Sequence, residues 1–358
     1  IGYERFATIV AEYQAAGDTL VLDAGDVTHG TTFANLAQGE NMIEVMNSVG
    51  VQALTPGNHE FNYGFEQVLR NAELADFPVL AANIVADADG SKPFESTTLV
   101  DYGEYQVGIF GLVTPETKYK AHPDNTAGLS FIDVVEAAEA SVAELEAAGA
   151  DVIVLLSHLG INAASDVTTY TVLDSVAGID VVIDGHSHSS LPEGEVYEEV
   201  LIAQTGGHFA QIGVVELTLD ADGTVSEAVA SHLGIEEAAV YAPDAAVAAQ
   251  LEALSAEAEE LLNVELGESL VELDGVREHV RAGETNLGNL ITDAMLDLSD
   301  ADVALTNGGG IRDSIVAGPV TTGDVLRVLP FNNTLIVIEV SLFTQWPAVT
   351  RTRCWLPT

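Results

Sequence analysis

Short apolar runs in this chain are repeatedly followed by residues that can bind metal ions. Asp26 follows the run Thr19–Leu22, and Asn58 lies in the motif GNHE after the run Val51–Leu54. Three histidines stand in the same position after later runs: His158 in LLSHLG, and His186 and His188 in DGHSH. Buried strands of an open α/β sheet are short apolar runs, and residues past their carboxyl ends project into a common crevice. The sequence therefore predicts that these five side chains surround one cavity.

The five side chains form a mixed oxygen and nitrogen ligand set. One carboxylate, one amide oxygen and three imidazoles suit zinc, manganese or iron better than magnesium or calcium. The set contains no thiolate, because the single cysteine of the chain, Cys354, stands near its end. We therefore expect a site for two divalent metal ions.

The charge of the chain excludes several classes of partner. Eleven basic residues against 56 acidic ones give a net charge of −45, which repels nucleic acid polymers and anionic membrane surfaces. No apolar run approaches the roughly 18 residues of a membrane span. Binding of a nucleic acid polymer and a membrane span are therefore not expected. The spread of acidic residues favours a surface adapted to high salt, with an acidic secreted protein as the alternative.

Strand and helix patterns alternate along the chain, which is typical of an α/β fold. The chain opens on an amphipathic helical pattern, and Asp133–Ala148 predicts another helix. The strand candidates are Thr19–Leu22, Val51–Leu54, Val79–Ala82, Gln106–Leu112, Val152–Leu156, Val181–Ile183 and Val200–Ala203. Ile212–Leu219 and Thr224–Ala230, separated by DADG, predict a hairpin.

The length of 358 residues suggests two domains. We place the first domain at residues 1–240, a polar connecting helix at 241–262 and the second domain at 263–341. The second domain is predicted to contain a helix at Asn286–Leu298, a strand at Val303–Thr306 leading into a glycine turn, and a short helix at Asp324–Val328.

Residues 342–358 differ in composition from the rest of the chain. They hold both tryptophans and the only cysteine, and they contain no acidic residue. We expect a frameshifted or foreign end, with a native aromatic strand as the alternative.

Seven motifs in order resemble the 5'-nucleotidase family of calcineurin-like metallophosphoesterases. They are GDVTHGT, PGNHEFNYG, LLSHLG, DGHSH, ETNLGNLITDAM, NGGGIRDSI and VLPFNNT. The resemblance implies a four-layer α/β-β-α sandwich that holds two divalent ions (zinc, manganese or similar). A smaller α/β nucleotide-binding domain, incomplete in this chain, is implied after it. It also implies a periplasmic, cell-surface or secreted location.

The family roles can be carried over residue by residue. Asp26 resembles the carboxylate that bridges both ions, and His188 resembles a ligand of one of them. Asn58, His158 and His186 resemble the ligands of the other ion. The resemblance further assigns His59 as the catalytic histidine, Asn62 as the residue that orients it, and Arg277, Arg281, Arg312, Asn307, Gly309 and Phe331 as substrate-binding residues. The remaining histidines, and Asp23 in its turn, are expected to be structural.

The implied reaction is the hydrolysis of a nucleoside 5'-monophosphate to nucleoside and phosphate by a phosphoric monoester hydrolase. Two ions about 3.5 to 4 Å apart generate hydroxide near neutral pH in such sites. One alternative is a 2',3'-cyclic-nucleotide 2'-phosphodiesterase and 3'-nucleotidase. An alternative of another class is a catalytically silent protein that binds nucleotide or metal.

Two departures from the family pattern shape these expectations. The family opens with an Asp-x-His strand that supplies two further ligands, and nothing precedes Ile1 here, so we expect one incomplete metal site and weak or absent activity. Asn62 stands where the 5'-nucleotidase branch usually carries an aspartate, whereas FNYG is frequent in the branch that acts on cyclic nucleotides. Asn62 therefore keeps the choice of substrate open.

Overall fold

The computed structural model describes residues 1–331 and 333–339. These residues form two compact units. The first unit joins Ile1–His29 to Leu36–Leu254, and the second joins Gly30–Asn35 to the described residues from Ser255 onward. The units divide within the predicted connecting helix, which spans Ala245–Leu262. The segment 342–358, expected to be foreign, lies outside the described residues.

The helices and strands are numbered in chain order. Strands β1 to β14 are Leu22–Asp23, Ala53–Leu54, Ile84–Ala86, Thr97–Asp101, Gln106–Val113, Leu129–Phe131, Val152–His158, Val181–Asp184, Glu195–Tyr197, Val200–Ala203, Ile212–Leu219, Val225–Leu233, Glu265–Ser269 and Gly318–Thr321. Helices α1 to α12 are Tyr3–Ala16, Thr32–Leu36, Glu40–Val49, Phe65–Leu74, Thr117–Lys120, Val134–Ala148, Thr169–Leu173, Ile235–Ala238, Ala245–Leu262, Arg277–Val280, Asn286–Ser299 and Thr322–Val328.

A six-stranded sheet in the order β4-β5-β7-β8-β10-β9 organises the first unit. Its four inner strands are parallel, and β4 and β9 pair antiparallel at its edges. The register pairs Val113 with His158 and Ser157 with Asp184. A separate parallel pair joins β1 to β2. The parallel register brings the carboxyl ends of these strands to one edge of each sheet, where the predicted ligands lie.

The packing of the first unit confirms the predicted four-layer α/β arrangement. Phe110 and Leu155 face a core shared with α6 and α7, whereas Ile109 and Val154 face a second core with Leu80 and Ala53. This alternation follows from the two-residue period of a strand. A third core packs α1, α3 and α4 against the other side of the β1-β2 pair. The layers are therefore helices, sheet, sheet and helices.

Two predicted strands were wrong. Val79–Ala82 makes only isolated bridges, from Val79 to Leu54 and from Leu80 to Glu95. Val303–Thr306 forms no strand, because Val303 and Leu305 are exposed and no described strand pairs with them. The amides of Leu80, Ala81 and Ala82 donate to three different segments, at Leu54, Glu95 and Gly111, so they form no continuous ladder with one neighbour.

The second unit has a small core of its own. Leu273, Val280 and Leu287 are buried there, together with Ile291, Ile311, Ile315 and Val328. The side-chain oxygen of Thr285 accepts a hydrogen bond from the amide of Gly288 and caps α11. A capping box between Thr321 and Asp324 starts α12.

In the described part of the chain, no helix is both long enough and apolar enough to cross a bilayer.

Candidate active site

Three of the predicted metal ligands converge in the first unit. Asp26 follows β1, His158 ends β7 and His186 follows β8, and their candidate ligand atoms all lie within 4.8 Å of one another. The imidazole centroids of His158 and His186 are 5.1 Å apart. Strand ends of separate sheets thus aim these side chains at one point.

The backbone around these ligands adopts costly conformations. Asp26, His186 and His188 have φ angles of 64°, 65° and 53°, in the left-handed region that non-glycine residues seldom occupy. Such residues cluster at functional sites and cost about 1 to 3 kcal/mol each. A Cβ atom on Gly57 would lie 2.2 Å from Asp26 Oδ1 and 2.5 Å from the ring of His158. Only glycine therefore fits beneath this pair.

Asp26 and His158 form a buried pair. His158 Nε2 lies 3.2 Å from Asp26 Oδ2, and Nδ1 contacts the carbonyl oxygen of Ala24. Burial lowers the pKa of His158, but the charge and hydrogen bond of Asp26 outweigh it and raise this pKa to about 9. Burial likewise opposes ionisation of Asp26, yet His158 holds the pKa of that carboxyl well below its usual range. Without a metal the pair therefore holds a proton on Nε2 at neutral pH, and a metal ion bound there would replace that proton.

His186 offers a neutral imidazole near neutral pH. Burial lowers the pKa of His186 to about 4, and the charge of His158 adds to this shift. Its Nε2 lies 3.1 Å from Glu116 Oε2. A neutral ring keeps one nitrogen lone pair, which is the form that binds metals.

The side chain of Asn58 provides evidence that these residues can bind a metal ion. Its Oδ1 atom is buried and has no hydrogen-bond partner among the described residues. A buried polar atom without a partner is costly, and a cation would satisfy it. Carboxylate, amide and imidazole donors together suit a divalent ion such as zinc or manganese. The residues present therefore fit the ion that the family implies.

His188 lies outside the compact group of Asp26, His158 and His186. It is exposed, and its imidazole centroid is 5.9 Å from that of His208. Desolvation lowers the pKa of His188, while the charge of Asp26 opposes this shift. His188 is thus within electrostatic reach of Asp26 without joining the other three ligands.

The predicted catalytic histidine is connected directly to the ligand Asp26. The backbone N–H of His59 donates to Asp26 Oδ1 over 2.8 Å. Asn62 Nδ2 lies 2.8 Å from His59 Nδ1, and the ring of His29 stacks on that of His59 with centroids 5.2 Å apart. These contacts fix both the position and the plane of the imidazole.

Glu60 was not predicted as a site residue, yet it organises the loop that carries Asp26. Its Oε2 accepts from the amides of Asp26 and Gly57 over 2.8 and 2.6 Å. Its Oε1 accepts from the amides of Val27 and Thr28 and from the Thr28 hydroxyl. Glu60 stands within the motif GNHE, but neither periodicity nor charge distinguishes it from a surface glutamate.

Two further carboxylates lie beside the ligands. Glu116 is buried after β5, and the same strand-end rule that located the histidines would have found it in VTPET. Despite burial, hydrogen bonds from Lys120, Asp166 and His186 lower the pKa of Glu116 to about 2. Asp23 accepts from the amide of Gly25 over 2.8 Å, and burial raises the pKa of Asp23 to about 7.

The predicted substrate residues form a cationic group in the second unit. Arg312 Nη1 donates to the carbonyl of Gly309 over 3.3 Å, and its guanidinium carbon lies 5.7 Å from the Phe331 centroid. Burial lowers the pKa of Arg312, and the charges of Arg281 and Arg277 add to this shift. A bound anion would reduce the repulsion between these clustered positive charges.

The glycine turn Gly308–Gly310 lies between these arginines and Asn307. A Cβ atom on Gly309 would be 3.5 Å from both Arg281 Nη2 and Asn307 Nδ2. The backbone of Gly309 therefore lies against two polar donors, which a Cβ atom would meet at ordinary van der Waals distance. All six predicted substrate residues are in the second unit.

Two parts of the chain match known protein families. Residues 1–190 match the calcineurin-like phosphoesterases, and residues 265–341 match the C-terminal domain of 5'-nucleotidases. The chain belongs to the 5'-nucleotidase family. Members of this family are phosphoric monoester hydrolases.

Several relatives are similar over most of this chain. The crystal structure of a 5'-nucleotidase precursor from Thermus thermophilus is 33% identical, with a TM-score of 0.76 over 93% of this chain and 69% of that one. The trifunctional nucleotide phosphoesterase protein YfkN of Bacillus subtilis is 32% identical over 90% of this chain and 24% of its own length. A 5'-nucleotidase of Vibrio cholerae is 28% identical over 91% of this chain and 66% of its own. The chain thus spans two thirds or less of these two curated relatives.

Proposed function

We propose that this protein hydrolyses nucleoside 5'-monophosphates to nucleoside and phosphate with the help of two divalent metal ions. The observation that carries the proposal is the approach of the Asp26, His158 and His186 donor atoms to within 4.8 Å of one another. The buried, unpaired oxygen of Asn58 supports it. Bound ions of the zinc or manganese class would activate water and neutralise charge on the phosphoryl group.

The protein's own residues supply the remaining parts of the reaction. Asp26 brings negative charge to the ions, and Glu60 fixes the loop that presents it. His59, oriented by Asn62, would donate a proton or hydrogen bond to the phosphate oxygens as the leaving oxygen departs. The arginines of the second unit would bind the anionic nucleotide.

Phosphate release from AMP tests this proposal. We expect weak turnover in Mn²⁺ or Zn²⁺, its loss in EDTA, and a fall on the order of 10² to 10⁴-fold in His59→Ala. His122→Ala changes an exposed histidine far along the chain and serves as the matched control. Unchanged hydrolysis in EDTA, or in His59→Ala, would contradict the proposal.

A second candidate is the hydrolysis of 2',3'-cyclic nucleotides and 3'-nucleotides. Asn62 favours it, because an amide orients the His59 ring but carries no charge to stabilise a cationic imidazole. Parallel assays of AMP, 3'-AMP and 2',3'-cyclic AMP separate the two activities. We expect Asn62→Asp to shift the preference towards AMP, and an unchanged preference would remove Asn62 as the determinant.

A binding protein without activity is the alternative from another class. Two bound ions per chain with phosphate release would support the enzyme, whereas adenosine binding without phosphate release would support the silent form.

We also propose a periplasmic, cell-surface or secreted location, from the family resemblance. Fractionation of source cells with an antibody against the protein tests this location.

A further inference from the structure

Glu116 joins three loops of the first unit at one buried carboxylate. Only 3% of its side chain is exposed, and its Oε2 lies 2.9 Å from Lys120 Nζ and 3.1 Å from His186 Nε2. Its Oε1 accepts from the backbone N–H of Asp166 over 2.9 Å. Lys120 ends α5, Asp166 follows β7 and His186 follows β8. Glu116 thus connects a candidate metal ligand to two neighbouring segments.

The contacts of His186 Nε2 decide which ring nitrogen can bind a metal. Lys120 Nζ lies 3.3 Å from Nε2, and a lysine ammonium can only donate. If Lys120 donated to Nε2, the ring proton would lie on Nδ1. If Nε2–H donates to Glu116, Nδ1 keeps its lone pair. Glu116 Oε2 lies closer to Lys120 Nζ and to His186 Nε2 than these two nitrogens lie to each other. The carboxylate oxygen can therefore accept a hydrogen bond from each of them.

We propose that Glu116 is a positioning residue that keeps the proton of His186 on Nε2 and thereby presents Nδ1 as the metal ligand. Carboxylates that accept from the second nitrogen of a metal-binding histidine fix its tautomer and orientation, and their loss typically costs 10 to 100-fold in metal affinity. This inference rests on the proposed metal-dependent function. Lys120 is the second donor to the same oxygen and is not required for the tautomer.

The tautomer of His186 tests the proposal without any substrate. Long-range ¹H–¹⁵N correlation spectra are recorded on protein that is labelled with ¹⁵N-histidine and stripped of metal. The pH is held above about 7.5, where a free imidazole is mostly neutral. His186→Gln identifies the signal. We expect the Nε2–H tautomer in the wild type and in Lys120→Met, and its loss in Glu116→Ala. A wild-type Nδ1–H tautomer would overturn the proposal.

Metal affinity supplies the second measurement. Titration with Mn²⁺ and with Zn²⁺ should show 10 to 100-fold weaker binding in Glu116→Ala. Lys120→Met should stay within about threefold of the wild type, as should Glu139→Ala, which removes an exposed glutamate from α6. Wild-type affinity in a folded Glu116→Ala variant would also overturn the proposal.

Hydrolysis of AMP by the metal-loaded wild type is assayed separately. If the protein binds metal, shows the Nε2–H tautomer and releases no phosphate, the proposed function fails and the role of Glu116 stands. The tautomer of His186 is measured in the wild-type protein. This test therefore remains possible even if the Glu116→Ala variant does not fold.

Discussion

The two units hold their functional side chains in opposite ways. In the first unit the His158 side chain is 1% exposed and that of Asp26 15%, and their loops are fixed by buried hydrogen bonds. In the second unit Arg277, Arg281 and Arg312 are exposed on a short helix and a turn. Metal ligands must be held within fractions of an ångström, whereas long arginine side chains can adjust to an anion. Substitutions should therefore damage fold and metal binding together in the first unit, and substrate binding alone in the second.

The largest effect is expected at Glu60. Glu60→Ala removes a buried carboxylate and leaves the amides of Asp26, Val27 and Gly57 without their acceptor, so the free energy of unfolding of the first unit should fall by about 3 to 5 kcal/mol. Urea unfolding followed by hydrogen exchange, read by mass spectrometry, separates the two units. Glu66→Ala, on the exposed side of α4, is the control and should change little.

An equal loss of protection in peptides of both units would contradict the expected confinement of this effect to the first unit. Unchanged protection in the first unit would show that the loop carrying Asp26 does not depend on Glu60.

The next effect is expected at Gly57. A methyl group there would lie 2.2 Å from Asp26 Oδ1, so Gly57→Ala must displace the ligand pair and should weaken Mn²⁺ binding by at least about tenfold. Gly267→Ala is a matched control in the second unit, since its Cβ would meet no atom within 4 Å. Isothermal titration measures both, and equal affinities would argue against the observed packing of Asp26 and His158.

A smaller effect, confined to substrate binding, is expected in the second unit. Arg281→Gln removes one charge from the arginine group and should raise KM for AMP about tenfold, or roughly 1.4 kcal/mol, with kcat and metal affinity nearly unchanged. Arg70→Gln, an exposed arginine paired with Glu40 in the first unit, is the control. A fall in metal affinity in Arg281→Gln would contradict the separation of roles.

The smallest effect is expected at the capping box of α12. Hydrogen bonds from Thr321 lower the pKa of Asp324, although partial burial opposes them. A folded pKa below the unfolded value of about 3.9 means that this stabilisation is present above pH 4 and is lost as pH falls through the folded pKa. Asp324→Ala should cost the second unit about 1 kcal/mol at pH 7 and less at pH 2. Hydrogen exchange of α12 at both pH values provides the measurement, and a pH-independent difference would exclude the carboxylate as its cause.

Much of the first unit could be predicted because local patterns decide it. The runs Gln106–Val113 and Val152–His158 are buried strands, and the opening amphipathic pattern is α1. Periodic burial and the position of polar residues past strand ends are properties of neighbouring residues, so they can be seen in the sequence. In the second unit the same reasoning failed for Val303–Thr306, where no partner strand lies beside the apolar run.

Local sequence patterns were enough to predict the α/β class, the inner strands of the main sheet and the candidate ligands that follow strand ends. The hydrogen bonds of Glu60 around Asp26 and the contact of Glu116 with His186 could be seen only in the folded protein. The tertiary structure also placed His188 apart from the other ligands. The cause is the separation of the residues along the chain. Burial periodicity is a relation between near neighbours, whereas these hydrogen bonds join residues 34 and 70 positions apart. Their geometry exists only once the layers have packed.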